Sequence, residues 1–303
     1  MRAALSLPLL IALIAIAMGS GIDAIVKAVA PQTGLHHLLA WRFLFGGIIA
    51  FAVFRAQKRP APSWEATRFH TARGLIQLGG AFTFFYALMH LPLAVATIIG
   101  FTAALMVPFL AWLLMGERVS PITLIATAIG FAGAALAVTG RPQSGAVSED
   151  WLLGVISCFV AAFLYALMLV MLRMRATKED ATTIAMFTNI VPGFAMLPVT
   201  LGLFGGVDGT AILLFLLLGA LGYAMWYLMT LAYARAPAQR LAPLEYTALI
   251  WSGIFGSVFF AEYPGWQTWL GAAIIIGACL IVAFEERFVT RKETGMPVSD
   301  LPE

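Results

Sequence analysis

Ten stretches of mostly apolar residues, each about long enough to cross a bilayer, follow one another with only short polar breaks between them. They run at 5–30, 35–55, 72–90, 93–115, 121–140, 151–172, 181–203, 210–234, 239–261 and 265–285. An α-helix needs about 20 apolar residues to cross the hydrocarbon core. A backbone in lipid must satisfy its own hydrogen bonds, so runs of this length fold as helices. They lack the shorter alternation of an outer-membrane barrel strand. The chain is 61% hydrophobic and 11% charged over 303 residues, whereas a soluble domain has about 25% charged residues. The expectation is an all-α integral membrane protein with lipid as its main solvent and no room for a soluble domain.

Charge placement sets the orientation. Of the eighteen Lys and Arg residues, fifteen fall on one side if ten spans are threaded: Arg2, Arg55, Lys58, Arg59, Arg68, Arg73, Arg118, Arg173, Arg175, Lys178, Arg235, Arg240, Arg287, Arg291 and Lys292. Arg141 alone lies on the other side, and Lys27 and Arg42 lie within spans. Basic residues collect on the cytoplasmic side, so both termini are expected in the cytoplasm. The net charge of +3 is too small to point to nucleic acid. The first twenty residues resemble a signal peptide, with Arg2, an apolar run and small residues toward Gly19, but the apolar pattern continues to Ala30 as a span would. Cys158 and Cys279 lie inside apolar runs and read as buried free thiols. No Walker motif is present, and no cofactor or metal site is expected.

The chain also repeats itself at an offset of 145: Leu91-Pro92 matches Ala236-Pro237, Phe101-Thr102 matches Tyr246-Thr247, and Met115-Gly116-Glu117 matches Phe260-Ala261-Glu262. Five spans per half is an odd number, so the second half enters the membrane from the opposite side. The expected units are 1–145, an inverted copy at 146–288, and a cytoplasmic tail at 289–303. Inverted repeats of this kind build transporters, with the substrate near the midplane between the halves.

Gly116-Glu117-Arg118 at the end of the fourth span, its Ala261-Glu262 echo at the ninth, and the two five-span repeats resemble the drug/metabolite transporter superfamily, EamA type. Met18-Gly-Ser-Gly-Ile-Asp-Ala-Ile-Val-Lys27 is similar to that family's first span, and Trp41-Arg42-Phe43 to its second. The resemblance implies a secondary carrier of a small organic metabolite in the bacterial inner membrane, working by alternating access. Asp23, Lys27 and Arg42 together resemble the branch that includes riboflavin and S-adenosylmethionine carriers.

A charge within the bilayer costs about 2.5–3.5 kcal/mol on insertion scales, so Asp23, Lys27, Arg42 and Glu245 each need a reason. Asp23 and Lys27 are four apart on one helix face. Asp23 and Arg42 both sit about 10–12 Å below the outer ends of their spans, close enough in depth to pair. Three explanations fit: an ion-pair cluster that ties the first two spans, a charged rim that meets an ionised substrate, or snorkelling by Lys27 alone. Glu245 stands alone in Pro243-Leu-Glu-Tyr-Thr247, which suits a proton-coupling or cation-binding site, a neutral carboxylic acid donating to a backbone carbonyl, or a helix-end residue facing water. Trp41, Tyr86, Phe101, Trp226, Tyr227, Tyr246 and Trp251 are aromatics lying inside spans; they are either a wall for a flat solute or packing. Glu117 and Glu262 sit at helix ends and read as capping groups. His36 and His37 are expected in an outer loop. The partners implied are a small-molecule substrate, the lipid bilayer, and a proton or counter-substrate. A membrane enzyme would need clustered catalytic groups, and a non-transporting subunit would leave the intramembrane charges unexplained.

Overall fold

The computed structural model describes residues 2–117, 119–140, 150–175, 181–202, 208–233, 235, 241 and 244–294. Arg118, Arg141, Lys178, Arg240, Ala236-Pro237 and the end of the tail from 295 lie outside the described residues, as do the side chains of Arg173, Arg287, Arg291 and Lys292.

Among the described residues the chain is entirely helical. The helices are α1 (Arg2–Thr33), α2 (Leu35–Ala56), α3 (Trp64–His90), α4 (Leu93–Met115), α5 (Pro121–Thr139), α6 (Trp151–Arg175), α7 (Ala181–Ala195), α8 (Leu197–Thr200), α9 (Gly209–Tyr233), α10 (Ala248–Phe260) and α11 (Trp266–Thr294). Six (α1, α2, α4, α5, α6 and α9) are long and apolar enough to cross a membrane by themselves, and α10 and the apolar part of α11 are shorter. Helices α3 and α7 fill the remaining two positions of the ten-span pattern.

Several elements depart from the sequence expectation. Gly34 alone separates α1 from α2, and its φ of 81° is a left-handed conformation that suits glycine. His36 and His37 therefore lie in the first turn of α2 rather than in a loop, with His37 buried. Helix α3 begins at Trp64, eight residues before the apolar run, because Ser63 caps it by accepting from Ala66 N at 3.2 Å. Arg68 and Arg73 are thus helical. Arg73 is buried and donates to Ile184 O at 3.1 Å and to Thr188 Oγ1, tying α3 to α7. The seventh span breaks at Met196, where Pro192 and Pro198 each withhold an N–H. The ninth span is interrupted too: Thr247 N bonds Leu244 O, Leu249 N bonds Tyr246 O and Ile250 N bonds Thr247 O, each three residues back, before regular α10 begins.

The direction of the helices follows from three contacts. Lys27, near the end of α1, donates to Leu88 O at 2.9 Å and to Leu91 O, at the end of α3, so α1 and α3 run parallel. Arg175, the last residue of α6, meets Glu65 at the start of α3 at 2.5 Å. Asp150, just before α6, meets His90 at the end of α3 at 3.7 Å. Helix α6 therefore runs against α3 and α1, and the second five-span unit is upside down relative to the first. The Glu65–Arg175 contact also brings the basic segments 55–73 and 173–175 to one face, where Thr182 Oγ1 donates to Gln57 Oε1 at 2.9 Å.

Packing repeats this symmetry. Exchanging the halves turns the α3–α6 contact into α9–α1, α4–α6 into α10–α1, and α3–α7 into α9–α2. The α2–α7, α4–α10 and α5–α11 contacts map onto themselves. Helices α5 and α11 approach through glycine: a Cβ at Gly271 would lie 2.5 Å from Gly133 O, which only small residues allow.

Candidate functional site

The centre of the bundle is built by α1, α2, α3 and α9. Helix α2 reaches α9 through glycine, since a Cβ at Gly219 would fall 2.8 Å from Arg42 O. One turn along α9, Gly222 faces the Arg42 guanidinium, and a Cβ there would lie 3.3 Å from Nη2. Arg42 is 9% exposed, with its Cζ 5.0 Å from the ring centroids of Phe43 and Phe85. These aromatic faces suit a cation, but they do not satisfy its N–H groups: Nε and Nη1 are buried and have no hydrogen-bond partner among the described residues.

Asp23 is half-buried on α1. Among the described residues no ion pair joins Asp23 to Arg42, unlike the direct pairing that their equal depth suggests. Nor does Lys27 pair along its own helix with Asp23. Its Nζ sits 2.8 Å from Glu262 Oε1, just past the end of α10, and is 5.6 Å from the Phe260 ring centroid. Glu262 Oε2 accepts from Leu93 N at 2.9 Å, so its helix-end hydrogen bond is seen, joined to an ion pair that the sequence did not suggest. Lys27, Glu262 and the turn between α3 and α4 thus form one closed knot where α1, α3 and α10 end and α4 begins. Lys27 Nζ reaches Glu262 and the carbonyls of Leu88 and Leu91 across to neighbouring elements, whereas Asp23 is one turn away on the same helix.

The aromatics divide into groups. Trp41 and Tyr86 pack on the cluster that includes Ile22, Val26, Phe43 and Phe85, the last two of which flank Arg42. Trp41 also packs on Phe45 at 5.7 Å and Tyr86 on His90 at 4.3 Å. Phe101 and Tyr246 meet edge to face at 5.2 Å in a second cluster with Leu105 and Cys279. Cys279 Sγ donates to Phe101 O at 3.7 Å. Trp251 packs on Phe255 and Tyr227 on Tyr223, each at 6.2 Å and each within its own helix. Tyr227 is 44% exposed, so it is not enclosed with the others. Trp226 is half-buried on α9. Glu245 is half-buried in the interrupted segment, near Tyr165 of α6.

With that geometry in hand, the model of the EamA-like transporter family matches residues 6–139 and again residues 152–284. The chain belongs to the EamA-like transporter family. This EamA-like transporter is therefore a multi-pass membrane protein that moves small metabolites, rather than an enzyme. It is 25% identical to the S-adenosylmethionine uptake transporter of Rickettsia felis, covering 91% of this chain and 92% of that one. It is 30% identical to the riboflavin transporter of Rhizobium johnstonii, covering 74% and 72%. One protein of known crystal structure superposes with a TM-score of 0.61 at 21% identity, covering 92% of this transporter and 96% of that chain. That likeness concerns the fold.

Proposed function

We propose that the protein is a secondary carrier in the bacterial cytoplasmic membrane, with both termini in the cytoplasm. Its halves, 1–145 and 146–288 ahead of a tail at 289–303, rock about a site at Asp23 and Arg42. The carrying observation is the Arg42 guanidinium, buried between α2 of one half and α9 of the other, with Nε and Nη1 unpartnered among the described residues. A structural arginine would have its donors occupied. A transport arginine keeps them free for the cargo. Trp41, Tyr86, Phe101, Trp226, Tyr227, Tyr246 and Trp251 are the aromatic candidates for contact with that cargo along its route. Lys27 serves at the outer end, in the closed knot with Glu262.

S-Adenosylmethionine and riboflavin are the first substrates to test, because the curated relatives carry those names. Glu245, beside an interrupted helix, is the candidate for proton coupling; the alternative coupling is exchange against a counter-substrate. In liposomes holding the purified protein and preloaded with unlabelled solute, external labelled solute should accumulate transiently by counterflow. Counterflow of neither compound would remove both as substrates, and pH-independent transport by both wild type and Glu245→Gln would remove the proton role.

A further inference from the structure

Helices α3 and α6 belong to different halves and lie against each other, with a polar contact at each end of their seam. At one end Arg175 closes on Glu65 at 2.5 Å. At the other, His90 Nε2 stands 3.7 Å from Asp150 Oδ2, beyond hydrogen-bond length. The other ring nitrogen gives the reason. His90 Nδ1 lies 2.8 Å from Tyr86 O, and a carbonyl oxygen can only accept, so Nδ1 carries the hydrogen. In the neutral ring Nε2 then turns a lone pair toward the Asp150 carboxylate, acceptor against acceptor. Only an imidazolium has an N–H on both nitrogens. The ring is held in this position: its centroid lies 4.3 Å from that of Tyr86, and a Cβ at Gly154 of α6 would come within 2.9 Å of His90 Cβ. The Asp150 side chain is 53% exposed, so the contact is open to water and to its protons.

We propose that His90 is a proton-operated tie between the halves. Protonated, it donates through Nε2 to Asp150 and holds the end of α3 to the start of α6; neutral, it lets them part. Among the described residues the other charges beside His90 are spent on each other. Lys27 of α1 donates to Leu88 O and Leu91 O, on either side of His90 in the chain, and pairs at 2.8 Å with Glu262, which accepts from Leu93 N. On its own helix the titratable neighbour is Tyr86, one turn back. Asp150 is therefore the carboxylate that a proton on His90 meets. The consequence for transport rests on the carrier reading, which puts this end of the seam, opposite Glu65 and Arg175, outside the cytoplasm. Acid on that side strengthens the tie and slows a cycle in which the halves must part there.

The test is a double-mutant cycle of thermal unfolding on the intact purified protein, with His90→Asn and Asp150→Asn. It is run at about pH 5 and about pH 8, the bounds between which histidine side chains change charge. His90→Asn keeps an amide N–H for Tyr86 O and cannot charge, and Asp150→Asn alters an exposed group that the fold does not need. At the acidic pH the double variant should lose less than the sum of the single losses; at the alkaline pH the losses should add. In oriented proteoliposomes, acidifying the side opposite Glu65 and Arg175 should slow counterflow of labelled S-adenosylmethionine or riboflavin about two- to fivefold more in the wild type than in Asp150→Asn. Additive losses at both pH values overturn the proposal, and so does equal coupling at both, which would be a tie that needs no proton. Counterflow that responds alike in wild type and Asp150→Asn removes the tie from the cycle and leaves the carrier reading intact. Coupling confined to acid, without counterflow of either compound, counts against the carrier reading and leaves the tie standing.

Discussion

Phe101 and Tyr246 occupy equivalent positions in the two repeats and touch each other edge to face, their ring centroids 5.2 Å apart. A residue that meets its own counterpart lies on the axis that exchanges the halves. The next residue in each repeat behaves alike: Thr102 Oγ1 donates to Ile99 O and Thr247 Oγ1 to Leu244 O, both at 2.6 Å. Edge-to-face pairs are worth about 0.5–1.5 kcal/mol beyond burial. In a double-mutant cycle of thermal unfolding, Phe101→Leu and Tyr246→Leu should show a coupling of about 1 kcal/mol. Additive effects would mean that the rings are not in contact in the membrane.

Lys27→Met and Glu262→Ala should each destabilise the protein by about 3 kcal/mol, the usual cost of removing one partner of a buried pair. Glu262→Gln should cost less, because an amide oxygen still accepts from Leu93 N. Thermal unfolding in detergent reads both. Equal losses for the amide and the alanine would show that charge is all that matters there.

Arg42→Met should behave in the opposite sense. It removes an unsatisfied buried charge, so the unfolding temperature should hold or rise while counterflow falls to background. A stability loss as large as that of Lys27→Met would identify Arg42 as a structural tie instead.

The start of α9 supplies a pH dependence outside the spans. Asp208 accepts from Thr210 Oγ1 at 2.8 Å and Thr210 N at 3.3 Å. The Thr210 side chain and then its backbone hold the Asp208 carboxyl below its ordinary range. A depressed folded-state value gives stability that is present above the unfolded value of about 3.9 and is lost as pH falls below it. Unfolding temperature should therefore drop less steeply between pH 5 and 3, roughly the range around that value, in Asp208→Asn than in the wild type. Parallel curves would remove the cap from the pH response.

Span placement was legible because lipid enforces length and hydrophobicity on each crossing independently. The upside-down second half followed from an odd span count, and the Glu65–Arg175 contact bears it out. Helix interruptions at Met196 and Tyr246 were not legible, since apolar periodicity continues through them. The start of α3 was missed because Trp64–Thr71 is polar yet capped by Ser63. At the site, Arg42 and Asp23 were visible as charges where charge is expensive. Their failure to pair was not, because it depends on side-chain reach between helices. The sequence marks Glu262 as a helix-end group, and its ion pair with Lys27 depends on the packing of α1 against the end of α10.

Alternating access predicts that water reaches the Arg42 site from each side of the membrane in turn. Cysteine placed at Gly222, beside the guanidinium, in a protein whose buried Cys158 and Cys279 have been changed to alanine, reports this with a membrane-impermeant maleimide. In sealed vesicles of defined orientation, reagent added on either side should label Cys at 222, and a transported solute should slow labelling from both. Labelling from one side only, or protection on one side only, would contradict a carrier that works by exposing this site alternately.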